Sequence, residues 1–353
     1  MNWKKGLVSL ILVLAVGMAV LIPFLINRAN ALTILYLGWD AAGRVQLYRT
    51  DENASSPRQL TEEKTDILHY APSPNGKLIA YTTGDTIWLM AANGRHLDAI
   101  LNCPNPPCNQ LVWHPDNRRL LYEQQSQLWW LDTTAGETVP LQENSNGPSR
   151  TARFSADGQW VSFVVSPDAG IEFYNFADGR HFQIVSSLGA PAIWHPTDPT
   201  FLYRDQRLVA FHGSDDDDHQ GHSHDYALAE ALYQASVAAP SGILVSDDGV
   251  VDDAAPAWSP DGQWIVFGRR PPRTAAGRQL WLARPDGSEA KALTDEPLIH
   301  HGVPQWSEDG RFILYQRYDT TDPATLPGIW LLELETGRTK GIAAAGFQPA
   351  WLP

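Results

Sequence analysis

The chain ends on FQPAWLP, Phe347 to Pro353, and the reading of these seven residues decides the fold. The segment has the form of an opening. APAWSP (Ala255–Pro260) and GVPQWSE (Gly302–Glu308) share that form, and each begins a longer unit. After the last copy nothing follows. At the other end of the chain, LTILYLGWD (Leu32–Asp40), RVQLYRTD (Arg44–Asp51) and SPRQLTEE (Ser56–Glu63) match the second, third and fourth segments of a unit whose first is missing. Joining the two ends completes one unit and closes a ring.

The units are read from a short string, aromatic-Ser/His-Pro-Asp/Asn-Gly. Copies start at Pro72 (PSPNG), Trp113 (WHPDN), Phe154 (FSADG), Trp194 (WHPTD), Trp258 (WSPDG), Trp306 (WSEDG) and Trp351 (WLP), with gaps of 41, 41, 40, 64, 48 and 45 residues. Each full copy precedes three runs rich in β-branched and aromatic residues, such as QWIVFGR, QLWLARPDG and EAKALTD, bounded by Gly, Asp, Asn and Pro. That composition and punctuation are those of strands and turns. In WSPDG the proline presets φ, Asp tolerates the next position, and Gly takes the positive φ that follows. Pro260, Asp261 and Gly262 therefore read as turn residues, in preference to a catalytic role for Asp261. A unit that cannot bury its faces alone stacks on its neighbours, and radial repetition leaves only short edges. The expectation is an all-β, seven-bladed β-propeller of four-stranded antiparallel blades. The C-terminal strand pairs into the N-terminal blade, with Trp351 as the closing residue, and one hydrophobic helix precedes the ring. The blades are expected at 32–65 plus 346–353, 66–105, 106–147, 148–188, 189–252 with an insertion at 212–227, 253–299 and 300–345.

APAWSPDGQWIVF followed by QLWLARPDGSEAKALT resembles the repeat of TolB-like propellers, also called the WD40-like or PD40 repeat. The likeness covers nearly all of residues 32–353, is strongest in blade 6 and is weakest in blade 5. It implies the propeller fold and says little about function. The likeness to TolB itself is confined to the repeat, since seven blades exceed its six. Prolyl-oligopeptidase-like enzymes are similar in the repeat but add an α/β-hydrolase domain with a G-x-S-x-G elbow. The sequence contains no such elbow, which sets serine-hydrolase chemistry aside. Oligogalacturonate lyases, also single seven-bladed propellers, imply a further possibility, a channel metal held by histidines such as His69, His300 or His301.

The net charge of −14 argues against a nucleic-acid binder, which needs a Lys/Arg surface. Leu7 to Ile26 is a 20-residue run without a charge, preceded by Lys4 and Lys5. Its length can span a bilayer, and the lysines favour a cytoplasmic N-terminus. Residues 1–31 are read either as a retained membrane anchor or as a signal peptide cleaved after ANA (Ala29–Ala31). Both place residues 33–353 outside the cytoplasm. The two cysteines, Cys103 and Cys108 in CPNPPC, fit a small loop-stapling disulfide in that compartment. Two unpaired thiols are the alternative.

Long, irregular segments map to one face, that of the strand-2 to strand-3 loops and blade-to-blade connections. They are RRPPRTAAGR in blade 6, YDTTDPATLPG in blade 7, the insertion in blade 5, CPNPPC, and IHHG (Ile299–Gly302), read as a connection. Loops on a rigid scaffold are where binding concentrates. Within the insertion, His219, His222 and His224 with Asp217 and Asp218 offer imidazole and carboxylate ligands for zinc or nickel across 212–225. A solvated acidic loop is the plainer alternative. His114 and His195, in the place of Ser in WSP, read as turn or capping residues. The favoured function is a non-catalytic extracytoplasmic scaffold binding a protein or a cell-wall or glycan ligand through the loop face over blades 5–7. Alternatives are a metal-dependent, lyase-like propeller enzyme and a metal-binding envelope protein.

Overall fold

The computed structural model describes residues 31–141, 148–166, 170–211, 225–246, 249, 251–322 and 324–353. The expected membrane segment and the metal-ligand candidates His219, His222, His224, Asp217 and Asp218 lie outside the described residues. Among the described residues, 28 strands form seven four-stranded antiparallel sheets, each a meander. The ring closes as the sequence implies. Phe347–Leu352 pairs antiparallel with Thr33–Trp39, with Ile34 opposite Trp351 and Leu37 opposite Phe347.

Hydrophobic packing runs between blades. A strand buried on both faces reads as a continuous apolar run, and TILYLGW is one. Ile34 and Tyr36 face blade 7, packing with Leu314, Ile329 and Leu331. Leu35 and Leu37 face blade 2, packing with Ile79, Tyr81 and Met90. The same alternation recurs around the ring, so each core belongs to two blades.

The aromatic that ends each inner strand is a latch. The Trp113 indole N–H donates to the Ala71 carbonyl of blade 2 at 2.9 Å, Trp194 to Arg153 at 3.2 Å, and Trp258 to Ile193 at 3.0 Å. Trp306 donates to Ala257 at 3.2 Å and Trp351 to Gln305 at 3.4 Å. Every acceptor lies on the inner strand of the preceding blade. Pro72 and Phe154 have no indole. The Tyr70 hydroxyl spans the first of these junctions, donating to the Gln348 carbonyl at 2.6 Å. At the second, Phe154 stacks on Trp130 of blade 3.

Three residues before the aromatic, five inner strands carry a β-bulge centred on a non-glycine residue with positive φ: Gln110, Thr151, Ala255, Val303 and Gln348. Such a bulge bends a strand and increases its twist, and its recurrence at one position makes it part of the blade design.

The tight turns are held by a shared device. Ser259 Oγ accepts the Trp264 N–H and donates to Asp261, which in turn accepts the Gln263 N–H. Ser73, Ser155 and Ser307 repeat the pattern. His195 replaces this serine with a longer arm. Its Nδ1 accepts the Thr197 and Asp198 N–H groups, and its Nε2–H reaches the Gly262 carbonyl of the next blade's turn at 3.4 Å. His114 likewise reaches the Gly158 carbonyl at 3.2 Å.

Two expectations are corrected. Ile299–Gly302 is not a connection: it begins the inner strand Ile299–Trp306, because its backbone pairs with Gln316–Asp319. Blade 5 carries regular strand into its expected insertion. Its second and third strands run on as a 12-residue pair, Thr200–Phe211 with Asp225–Ser236, so the end of the expected 212–227 insertion is strand. The outer strand of blade 5 is Ala239–Leu244, after a turn at Val237 and Ala238.

Two outcomes test this description. Deleting Phe347–Pro353 removes the inner strand of blade 1 and should lower Tm sharply with loss of cooperativity. Trp351→Phe, which removes the bond to the Gln305 carbonyl and part of the indole packing, should lose about 0.5–1.5 kcal/mol from the bond, far less than the deletion. Melting like the intact protein after the deletion would refute closure. The Gly262 position, at φ +68°, would place a Cβ 1.9 Å from His195 Nε2, whereas Gly310, at φ +70°, has open space. Gly310→Ala should cost about 1–2 kcal/mol from φ alone. Gly262→Ala should cost more, and the excess should vanish in a His195→Ala background when measured by denaturant melts.

Candidate functional site

The loop face over blades 5 and 6 is built on a ribbon, the extended strand pair of blade 5. Directly opposed residues share a face. Val209, Ala227 and Ala229 form the buried side, while Leu208 with Leu228, and then Tyr226, form an exposed one. The blade-6 loop leans on this ribbon, with the Arg273 guanidinium donating to the Tyr226 carbonyl.

Beneath the loop lies a charge network that joins blades 5 and 6. Arg269 grips Asp253 through two bonds of 2.7 Å, with both side chains buried. Asp252 takes Arg270 at 2.8 Å and Arg278 at 3.2 Å, and Arg278 also meets Glu230, which holds Arg204 at 2.8 Å. Burial pushes the Asp252 carboxyl up, but the Arg270 hydrogen bond and the Arg278 charge outweigh it, so its pKa lies below the ordinary value. A forked guanidinium gives planar, bidentate geometry, so the network fixes position as well as charge.

Above this floor is a cleft of about 440 Å³, walled by Val251, Pro271, Ala276, Trp281 and Pro297, with Arg270, Gln279 and Asp295 at its polar positions. The Arg269 guanidinium lies 4.7 Å from the Trp281 ring centroid, a cation–π contact that steadies the indole. A second cleft, of about 470 Å³, opens on the opposite face between the turns of blades 6 and 7, beside Trp264, Trp306 and Lys291. Uniform turns therefore do not make a featureless face, since successive blades diverge and leave a wedge between them.

The histidines singled out in the sequence occupy separate places. His301 is fully buried and donates through Nε2 to Glu296 at 3.0 Å; Glu296 also holds Arg317. His300 packs on Tyr318 at 4.7 Å between ring centroids. His69 lies in the blade-2 inner strand, where its Nδ1 accepts the Leu111 N–H at 3.2 Å. Among the described residues, no group of three or more His, Cys, Asp or Glu side chains is arranged to hold a metal. The structure does not bring His69, His300 and His301 together. Cys103 and Cys108 are joined by a disulfide across the blade-2 to blade-3 connection. The Arg–carboxylate network had no local sequence signal, because its partners come from separated strands. Trp281 was visible only as one more strand aromatic.

No protein-family model and no curated protein matches the sequence. Solved structures match in fold. A putative TolB from Agrobacterium tumefaciens is 18% identical with a TM-score of 0.52, the match covering 70% of this chain and 85% of that one. An oligogalacturonate lyase in complex with manganese is 14% identical with a TM-score of 0.58, covering 89% and 85%. A puromycin-hydrolyzing peptidase from Mycobacterium tuberculosis is 12% identical with a TM-score of 0.62; the match covers 90% of this chain but 53% of the peptidase. The chain is thus similar in fold to TolB, and the same propeller fold also occurs in a lyase and a peptidase, so fold alone does not give function.

The histidines give a pH prediction. Burial lowers the His69 pKa to about 4, with the Arg153 charge adding to the effect. Burial likewise lowers His300 to about 4, with Arg278, Arg270 and His301 contributing. The folded state binds fewer protons than the unfolded chain between those values and 6.5, so stability is complete above pH 6.5 and falls toward pH 4. Thermal melts should show that fall, and it should be shallower in a His69→Gln, His300→Phe double variant. Equal slopes in the two proteins would exclude this cause.

Proposed function

We propose that this protein is an extracytoplasmic binding scaffold, held or delivered through its N-terminal apolar segment, whose loop face over blades 5–7 takes a protein or a cell-wall glycan. The observation that carries the reading is the Trp281 cleft. An apolar wall with a few convergent polar groups, set on a rigid ion-paired floor, is the usual build of a recognition site. Aromatic and Arg side chains are those that anchor interfaces, and here both sit at the centre. The exposed Leu208, Leu228 and Tyr226 add apolar surface on the blade-5 ribbon that the blade-6 loop leans on. The N-terminal run and the cysteine pair support the compartment.

A photo-crosslinking amino acid at Ala276, on the cleft wall, tests this in the native membrane. The expected result is a discrete adduct that weakens several-fold with Trp281→Ala. The same probe at Glu137, on an exposed turn of blade 3, should give no such adduct. Equal labelling at both positions, or an adduct indifferent to Trp281, would remove the cleft as the site. Co-sedimentation with purified cell wall, with and without Trp281→Ala, distinguishes a glycan ligand from a protein.

A further inference from the structure

We propose that a pocket at the junction of blades 1 and 2 binds a phosphate group, held by the guanidinium groups of Arg49 and Arg58. The pocket sits at the strand-3 to strand-4 turn of blade 1, opposite the loop face, and does not rest on the Trp281 cleft.

Arg49 lies in the third strand of blade 1, Val45–Asp51, and Arg58 in its outer strand, Arg58–Gln59. The two are direct cross-strand partners, so both side chains leave the same face of the sheet. Like charges set directly opposite each other repel and weaken a sheet. Both arginines reach the same turn of blade 2. Arg49 Nη1 donates to the Ala92 carbonyl at 3.1 Å, and Arg58 Nη2 lies 3.8 Å from the point where a Cβ on Gly94 would stand. Arg49 Nη2 donates to Thr33 Oγ1 at 3.3 Å, which leaves the Thr33 O–H to donate elsewhere. Among the described residues, neither arginine has an ion pair, and the Arg58 guanidinium has no hydrogen bond.

The two arginines wall a pocket of about 280 Å³, together with Ala31, Thr33, Asp51 and Ser56. The Asp51 carboxylate is already satisfied by its own turn, accepting the Asn53 and Ser55 N–H groups and the Ser55 hydroxyl. Two unpaired cations thus face one engaged carboxylate, in a chain of net charge −14. A guanidinium fork matches phosphate oxygens in pairs, and the Thr33 hydroxyl supplies a further donor. A bound phosphate converts the repulsion between the arginines into a bridge. The place of the pocket bears on the source of that phosphate. Ala31 is on its wall, and the apolar run Leu7–Ile26 ends five residues earlier. Those five residues span at most roughly 17 Å when extended, so a retained anchor brings the bilayer surface near the pocket. Basic pockets beside a membrane segment take phospholipid headgroups. A headgroup phosphodiester and a soluble phosphomonoester present the same oxygens to the site.

The test is calorimetric titration of sodium phosphate and, separately, of glycerophosphoglycerol, a deacylated phospholipid headgroup, into the full-length protein in neutral detergent at pH 7.5. Ionic strength is held constant with sodium chloride, whose single-atom anion cannot engage a fork. Saturable one-site binding of at least one ligand is expected. Arg49→Gln and Arg58→Gln should each weaken it by about tenfold, Arg49→Lys by less and Thr33→Val by a few-fold. Arg118→Gln, the same change of charge at an exposed arginine of blade 3, should leave it unchanged. Binding of the diester assigns a headgroup, and binding of phosphate alone a soluble phosphomonoester. Without added ligand, Arg58→Gln should melt at or above the temperature of the parent, because it removes a directly opposed like charge. Phosphate should then raise Tm in the parent and not in that variant. Absence of saturable heat for both ligands, or unchanged affinity in an Arg49→Gln, Arg58→Gln double variant, would overturn the proposal.

Discussion

The ring depends on one contact repeated around its axis: an indole N–H of one blade on an inner-strand carbonyl of the blade before it. An inner strand has a free edge toward the channel, and its carbonyls would otherwise have only solvent. The indole satisfies one such carbonyl and fixes the spacing of adjacent inner strands in a single bond. Area burial between blades supplies most of the cohesion, but it is non-directional and leaves sliding permitted. The latch removes that freedom. Where the tryptophan is missing, Tyr70 takes over the bond at one junction, and at the other an aromatic stack is joined by the His114 reach to Gly158.

Much of this was legible in the chain. The PDG strings marked turns, the aromatic before them marked inner strands, and the unmatched ends implied closure. What stayed hidden has physical reasons. The bulges fall on Gln110, Thr151, Ala255, Val303 and Gln348, none of which signals positive φ by residue type; only the register exposes them. Ile299–Gly302 looked like a loop because His300, His301 and Gly302 are poor strand formers, and pairing with the strand through Asp319 overrode that propensity. The blade-5 ribbon was obscured because its polar and alanine-rich continuation lacks the apolar density of a core strand, while its alternating faces are clear once paired.

The candidate site divides in the same way. Sequence alone pointed to the loop face over blades 5 to 7, from loop length. It did not give Trp281 or the Arg269–Asp253 and Arg278–Asp252 pairs, because neighbours in this site are strands apart in the chain. Nor did it distinguish the roles of the histidines. His195 and His114 are junction pieces, His301 is a buried partner of Glu296, and His69 takes the Leu111 N–H of the next blade, yet all four are the same letter.

The closing strand also sets an order of events during synthesis. Blade 1 has three strands and an open edge along Thr33–Trp39 for the whole time that the other six blades are being made. Its completion waits for Phe347–Leu352 to be made. Until then the edge is a pairing template, available to the tail of a neighbouring copy as well as to its own. The joint between first and last strands is thus the step at which a nascent chain commits to a closed monomer or to an exchange with another.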